Sequence, residues 1–388
     1  MQLRWEQVLA WRMARQYLEE PARDGPLEVL RRLCGVQAQV AAAAEMAVAV
    51  RLPGAETAGL RSALRERSVI KTWAMRGTLH LLPADVAGDY LALLADVRSW
   101  EKPAWQRAFI SRSQLETLQE VIPEVLDRRV LSREELTAEV LQRTRDADLA
   151  DHLRSGWGAV LKPLAWQGLL CQGPAAGNQV TFTTPGTWAP DWQGIPRVED
   201  AARVVIPSYL GAHGPASMEA FDRWLTRGAS SKRSLHAWFA AAADRLARVD
   251  IEGTEAFARI EDVDRVAAAQ PSGAVRLLPA FDQYVLGPGT GDSRVVPADR
   301  RSEVSRAAGW IAPVVVAGGR VAGTWDTHDR TLDVNLFEEA GHLPVGALER
   351  ESDRIGSLLG EKFRLSVTSR ASTGARATTT RRAEGISG

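Results

Sequence analysis

A run of helical patterns closed by a strand–turn–strand pattern occurs three times along this chain, and that recurrence most constrains its fold. In the first round, apolar residues fall at helical spacing over 5–19. Further helices are predicted from Pro26, over 41–50 and over 56–65. Residues 69–73 and 77–82 read as strands joined near Met75-Arg76-Gly77, and Pro83 opens another helix. The second round has a helix over 113–126, a capping box with Ser132 as N-cap and Glu135 at N3 launching 136–143, and a helix over 157–170 interrupted by Pro163. A strand over 180–183 and a turn at Pro185-Gly186 close it. The third round has helices over 198–210, 217–225 and 232–246, then a hairpin of 248–251 and 257–260 around Glu252-Gly253. Helices followed by a hairpin make a winged helix-turn-helix unit, and repetition at roughly 90 residues suggests tandem copies.

From Val275 the pattern changes to strands over 275–279, 284–286, 313–317, 320–325, 331–337 and 363–367, with a helix over 345–359. Gly318-Gly319 is a two-residue hairpin turn signal. The expected architecture is α+β, mainly helical, with winged helix-turn-helix units at 1–112, 113–195 and 196–270 and a β-rich domain at 271–367. The segment 368–388 has almost no large apolar side chain and is expected to be a disordered, mildly basic tail.

Composition narrows the function. Apolar residues at 45% and charged residues at 25% suit a globular chain, and no run of about 18 apolar residues offers a membrane span. The start, Met1-Gln2-Leu3-Arg4-Trp5-Glu6, lacks the build of a signal peptide, so a cytoplasmic protein is expected. Cys34 and Cys171 are too few for a cysteine-built metal site, and the six histidines are scattered, so neither metal nor cofactor is expected. Of 48 basic residues only five are lysine. Arginine forks suit phosphate and guanine, although a coding bias toward arginine gives the same count.

No nucleophile elbow, P-loop or dinucleotide fingerprint is present. Three stretches stand out. Cys34-Gly35-Val36-Gln37-Ala38-Gln39-Val40 joins two apolar elements, and in extended backbone Gln37 and Gln39 project to the same side. They either brace helix ends or have a task. Lys71-Thr72-Trp73-Ala74-Met75-Arg76-Gly77-Thr78-Leu79-His80 would set Arg76, Thr78 and His80 on one strand face, toward nucleic acid or toward the glutamines, unless His80 is an internal hydrogen-bonding residue of the wing. Lys232 and Arg233, behind Ser230-Ser231 at a helix start, could meet phosphates or simply be solvated. Arg320, beside the Gly-Gly turn, could enter a minor groove or lie on an ordinary surface turn.

The segments Gly35-Val36-Gln37-Ala38-Gln39 and Thr72-Trp73-Ala74-Met75-Arg76-Gly77-Thr78-Leu79-His80, with Leu277-Leu278-Pro279-Ala280-Phe281-Asp282 and Gly323-Thr324-Trp325, resemble the winged-helix DNA glycosylase superfamily. The resemblance extends to about residue 367. It implies a concave DNA-binding surface and excision of N7-alkylated purines from double-stranded DNA, including azinomycin-type interstrand crosslinks, by a monomeric enzyme. It also implies that the catalytic pair is Gln37 and Gln39. Another branch carries Asp at the second position, and this chain has Gln39 there.

Neutral amides cannot take a proton at pH 7, so two glutamines exclude ordinary general-base catalysis. They can aim a water. Alkylation at N7 makes the purine cationic, so it departs without being protonated, and a placed nucleophile is the remaining need. Cationic lesions should therefore be substrates and uracil should not. A crosslinked base cannot be fully flipped out, so the site should be shallow. The rivals are a winged-helix transcription regulator and a lesion-binding protein that does not cut.

Overall fold

The computed structural model describes residues 1–54, 58–155 and 158–370. Among them run three sheets. The first strand, β1 (Gln2–Leu3), leads into the helix Trp5–Arg15, whose Val8, Leu9 and Met13 are buried. That helix stops earlier than expected because Tyr17 takes a left-handed φ of 58°.

The helix Pro26–Arg32 ends in two consecutive left-handed residues, Cys34 (φ 58°) and Gly35 (φ 85°), which turn the chain into β2 (Val36–Gln37). Only glycine fits at position 35. A Cβ there would lie 2.6 Å from the Leu82 side chain and 2.9 Å from the Leu81 carbonyl oxygen. Strands β3 (Val69–Trp73) and β4 (Leu79–Pro83) form the first hairpin. Strands β5 (Leu131–Ser132), β6 (Cys171–Gln172) and β7 (Thr181–Thr183) come from the second round. All six form one sheet in the order β2-β4-β3-β6-β7-β5, so two expected wings share one ladder, joined where Lys71 pairs with Gln172.

One face of this sheet presents Ile70, Leu82 and Cys171 to the helices Ala84–Asp96 and Val198–His213. On the opposite side Trp73 stacks on Phe182. Ser132 caps the helix Arg133–Thr144 in the predicted reciprocal box with Glu135. The third hairpin, β8 (Leu246–Ile251) with β9 (Thr254–Arg259), accepts β1 as a parallel third strand. The chain's first residues, read with the first unit, therefore pack on the third: Leu3, Val8 and Trp11 share a core with Val249 and Ile251.

The C-terminal sheet, β10 (Val275–Leu278), β11 (Val314–Ala317), β12 (Arg320–His328), β13 (Thr331–Phe337) and β14 (Arg364–Arg370), follows sequence order. Helix Val345–Leu359 makes the crossover that the parallel β13–β14 pair requires. Leu9 and Met13 of the first helix enter this core.

Several expectations need correction. The strand predicted over 284–286 is a one-turn helix, Gln283–Leu286. Its cap, Asp282, accepts from the Tyr284 N–H and is itself held by the Arg51 guanidinium, so a tertiary contact overrides β propensity. The helix predicted over 157–170 contracts to Leu161–Trp166 before the left-handed Gly168; Trp157 lies outside the described residues. The helix predicted to reach 246 ends at Ala241, and Leu246 begins β8. The predicted start at Glu56 lies outside the described residues, where helix Ala58–Arg65 follows, and so does the tail from 371 on. Cys34 and Cys171 are both free and buried. No helix of the described residues is long and apolar enough to cross a membrane.

Candidate active site

Gln37 is the last residue of β2, opposite His80 of β4, and Gln39 sits just before the helix Ala41–Ala49. The side chains meet as the two-residue spacing predicts: Gln37 Nε2 donates to Gln39 Oε1 at 3.1 Å. Gln37 is only 6% exposed, whereas Gln39 is open to solvent. Arg76 Nη2 donates to Gln37 Oε1 at 3.3 Å, and Nη1 to the Trp224 carbonyl at 3.1 Å. A guanidinium only donates, so it selects the rotamer that turns the Gln37 oxygen toward Arg76 and the amide nitrogen toward Gln39. A relay results: Arg76 orients Gln37, and Gln37 orients Gln39. Gln39 Oε1 keeps one lone pair and its amide nitrogen keeps both protons.

Arg76 is not on a strand face as expected. It occupies the turn Met75–Gly77 with φ 59°, a left-handed conformation that costs a side-chain-bearing residue about 1 kcal/mol. The turn is over-determined: Gly77 N donates to Ala74 O at 2.9 Å, Ala74 N to Thr78 O at 2.9 Å, and Thr78 Oγ1 to Met75 O at 3.0 Å. Strain held this firmly aims the Arg76 fork. Burial, then repulsion from Arg227, lowers the Arg76 pKa to about 10, so it stays charged at neutral pH.

His80 is wholly buried, so it is the internal hydrogen-bonding residue that the sequence allowed and not the DNA-facing one. Its Nδ1 lies 3.0 Å from Thr78 O; a carbonyl only accepts, so Nδ1 carries the proton and Nε2 a lone pair. Burial, then the Arg76 charge, depress its pKa to about 3, so the ring is neutral. His80 faces Gln37 on one side and Thr72 on the other, placing all three in one row across the sheet. His80 Nε2 and Thr72 Oγ1 are buried without a partner among the described residues, a polar stripe continuing the row from Gln37.

Elsewhere the expected set scatters. Lys232 and Arg233 are exposed on the first turn of helix Lys232–Ala241, capped by Ser231, and neither approaches the glutamines by hydrogen bond. The Gly318-Gly319 turn forms as predicted, with φ of 56° and 78°, but its tip is docked rather than projecting. Tyr284 Oη donates to Gly319 O at 2.6 Å, and a Cβ on Gly319 would lie 2.6 Å from Leu9 Cβ. Arg320 beside it is exposed, with Nη2 3.3 Å from Ser293 O.

Two clefts stand out, one of about 360 Å³ lined by Leu336, Leu348 and Val367, the other of about 410 Å³ lined by Trp5, Leu9 and Arg294. Neither contains a glutamine of the pair. Among the described residues no carboxylate hydrogen-bonds to Gln37, Gln39 or Arg76. What sequence reasoning missed is the Trp224 carbonyl that anchors Arg76; a backbone acceptor far away in sequence leaves no residue-type signal.

The model of the family described as "DNA glycosylase AlkZ-like" matches residues 30–358. An interstrand DNA cross-link repair glycosylase from Streptomyces sahachiroi is 47% identical over 362 residues, spanning 93% of this chain and 98% of its own length. The solved structure of Streptomyces sahachiroi DNA glycosylase AlkZ aligns with a TM-score of 0.92 at 45% identity, over 95% of this chain and all of that one.

Proposed function

This chain belongs to the AlkZ-like DNA glycosylase family, and from that premise we propose that Gln37 and Gln39 place the water that cleaves the N-glycosidic bond of a cationic N7-alkylated purine. The observation that carries the reading is the relay from Arg76 through Gln37 to Gln39, ending on a solvent-open amide to which no carboxylate hydrogen-bonds among the described residues.

Gln39 Oε1 accepts one hydrogen of the water on its remaining lone pair and points the water oxygen at C1′. The bond from C1′ to the purine breaks, the electron pair neutralises the charge on the alkylated base, and the water's proton passes to solvent. No general base is required because the leaving group is already activated. Carboxylate-bearing glycosidases face poorer leaving groups. Openness at Gln39 suits a lesion tethered to the opposite strand, and the 47%-identical relative carries cross-link repair in its name. Double-stranded DNA bearing such lesions is the proposed substrate of a cytoplasmic monomer. Lys232 and Arg233 are proposed to contact backbone phosphates, and Arg76, Thr78 and His80 to support the glutamines from within.

The test is release of 7-methylguanine and unhooking of a guanine crosslink by wild type, Gln37→Ala and Gln39→Ala, with DNA affinity and a thermal melt for each. Wild type should release the base while the folded, DNA-binding variants do not. Wild type that binds alkylated DNA and releases nothing would establish a lesion binder instead, and release of uracil would defeat the activated-leaving-group argument.

A further inference from the structure

The turn that carries Arg76 is flanked by two cations that the relay does not use. On one side is Lys162 of the helix Leu161–Trp166; a Cβ built on Gly77 would stand 3.8 Å from its Nζ. On the other side the helix Met218–Thr226 supplies the Trp224 carbonyl, and its C-terminal cap is Arg227, held left-handed at φ 65°. Lys162 is half-buried and Arg227 exposed. Among the described residues neither side chain has an ion pair or hydrogen bond, and both partners of Arg76 are neutral. Some half-buried arginines in this protein are paired with carboxylates, Arg32 with Glu28, Arg259 with Asp262 and Arg276 with Glu351, while Arg15 and Arg133 rest on backbone carbonyls.

We propose that Lys162 and Arg227 form a clamp for a DNA backbone phosphate beside the target nucleotide, an assignment that rests on the glycosylase reading above. Three cations gather at one turn, and among the described residues no carboxylate pairs with any of them. Burial, and after it repulsion from Arg227, lowers the pKa of both Lys162 and Arg76. An anion removes the conflict, and a phosphodiester is the anion every duplex brings to this surface. Lys162 would act as a point charge and Arg227 as a two-pronged donor. The clamp also answers an electrostatic difficulty of the reaction. Positive charge develops on the sugar close to the Arg76 fork, and a phosphate held here offsets it.

The experiment titrates wild type, Lys162→Gln, Arg227→Gln and Lys162→Arg with a duplex carrying a tetrahydrofuran abasic analogue between 50 and 200 mM NaCl. Each glutamine variant should lower the slope of log affinity against log salt by about 0.9, so that over this range its affinity falls about 3.5-fold less than that of wild type. Lys162→Arg should restore the slope. A single uncharged methylphosphonate beside the analogue should weaken wild type but add nothing to a glutamine variant. Unchanged slopes in variants with normal melts, or equal methylphosphonate penalties in all proteins, overturn the clamp. Because Arg227 is exposed, its variant keeps the question open to test if Lys162→Gln does not fold. Wild type that shows the clamp behaviour yet releases no 7-methylguanine overturns the glycosylase reading and leaves the phosphate site standing.

Discussion

Arg51 and Arg76 are two arginines taken out of bulk water in opposite ways. Arg51 has no exposed surface, and its donors are met by Asp282 at 2.7 and 2.8 Å, Gln16 O at 2.9 Å and Ala47 O at 2.7 Å. Its charge is cancelled where it lies, and the pair ties the helix Ala41–Ala49 to the C-terminal unit. Arg76 lies in a strained turn and has only an amide and a peptide carbonyl for partners. Among the described residues no carboxylate pairs with it. A buried charge with a matched carboxylate is architecture; under the proposed function, the one left on neutral acceptors beside the solvent-open Gln39 serves the substrate site.

Chemical denaturation of Asp282→Asn and Arg76→Met should separate the two arginines most widely. Stranding the Arg51 charge should cost about 3–5 kcal/mol, whereas losing Arg76 should cost about 1 kcal/mol. Equal losses would mean that both arginines are architectural. Single-turnover base release should separate them the other way. Gln39→Ala should fall about 100-fold with its melt unchanged, Arg76→Met about tenfold through loss of the amide's aim, and folded Asp282→Asn should keep its rate.

Dependence on pH gives a smaller contrast between site and scaffold. His80 is neutral and among the described residues no carboxylate hydrogen-bonds to the glutamines, so the rate of base release should be flat from about pH 5 to 9; a bell-shaped profile would reveal a titrating catalyst. Stability should not be flat. His80 and His213 have folded pKa values near 3, His213 through burial and then Arg12, against 6.5 when unfolded. The unfolded chain binds more protons below 6.5, so their contribution is complete above that pH and is lost as pH falls toward 3. Melts of wild type and His80→Asn at pH 7 and 4.5 should show the variant losing less on acidification. The smallest effect is expected from Arg320→Ala. With the neighbouring turn docked on Leu9, excision should stay within about twofold of wild type and stability within about 0.5 kcal/mol. A larger loss of DNA affinity would give this hairpin a role in binding.

Local chemistry was legible in the residues. The spacing of Gln37 and Gln39 announced that their side chains could meet, because extended backbone returns every second residue to the same side. Ser132 with Glu135 announced a helix start, and Gly318-Gly319 a tight turn, because each motif satisfies its own backbone within a few residues. The alternation of helical and strand patterns also carried the mainly helical α+β class, and the segments 35–39 and 72–80 carried the resemblance to the glycosylase family. Tertiary structure alone decided the rest. It merged two hairpins into one six-stranded sheet, sent β1 to the third unit, and turned the predicted strand at Tyr284 into a helix through the Arg51–Asp282 pair. It also buried His80, docked the Gly319 tip and aimed Arg76 through a carbonyl 148 residues away. Those outcomes depend on partners distant in the chain, which a pattern within a few residues cannot specify.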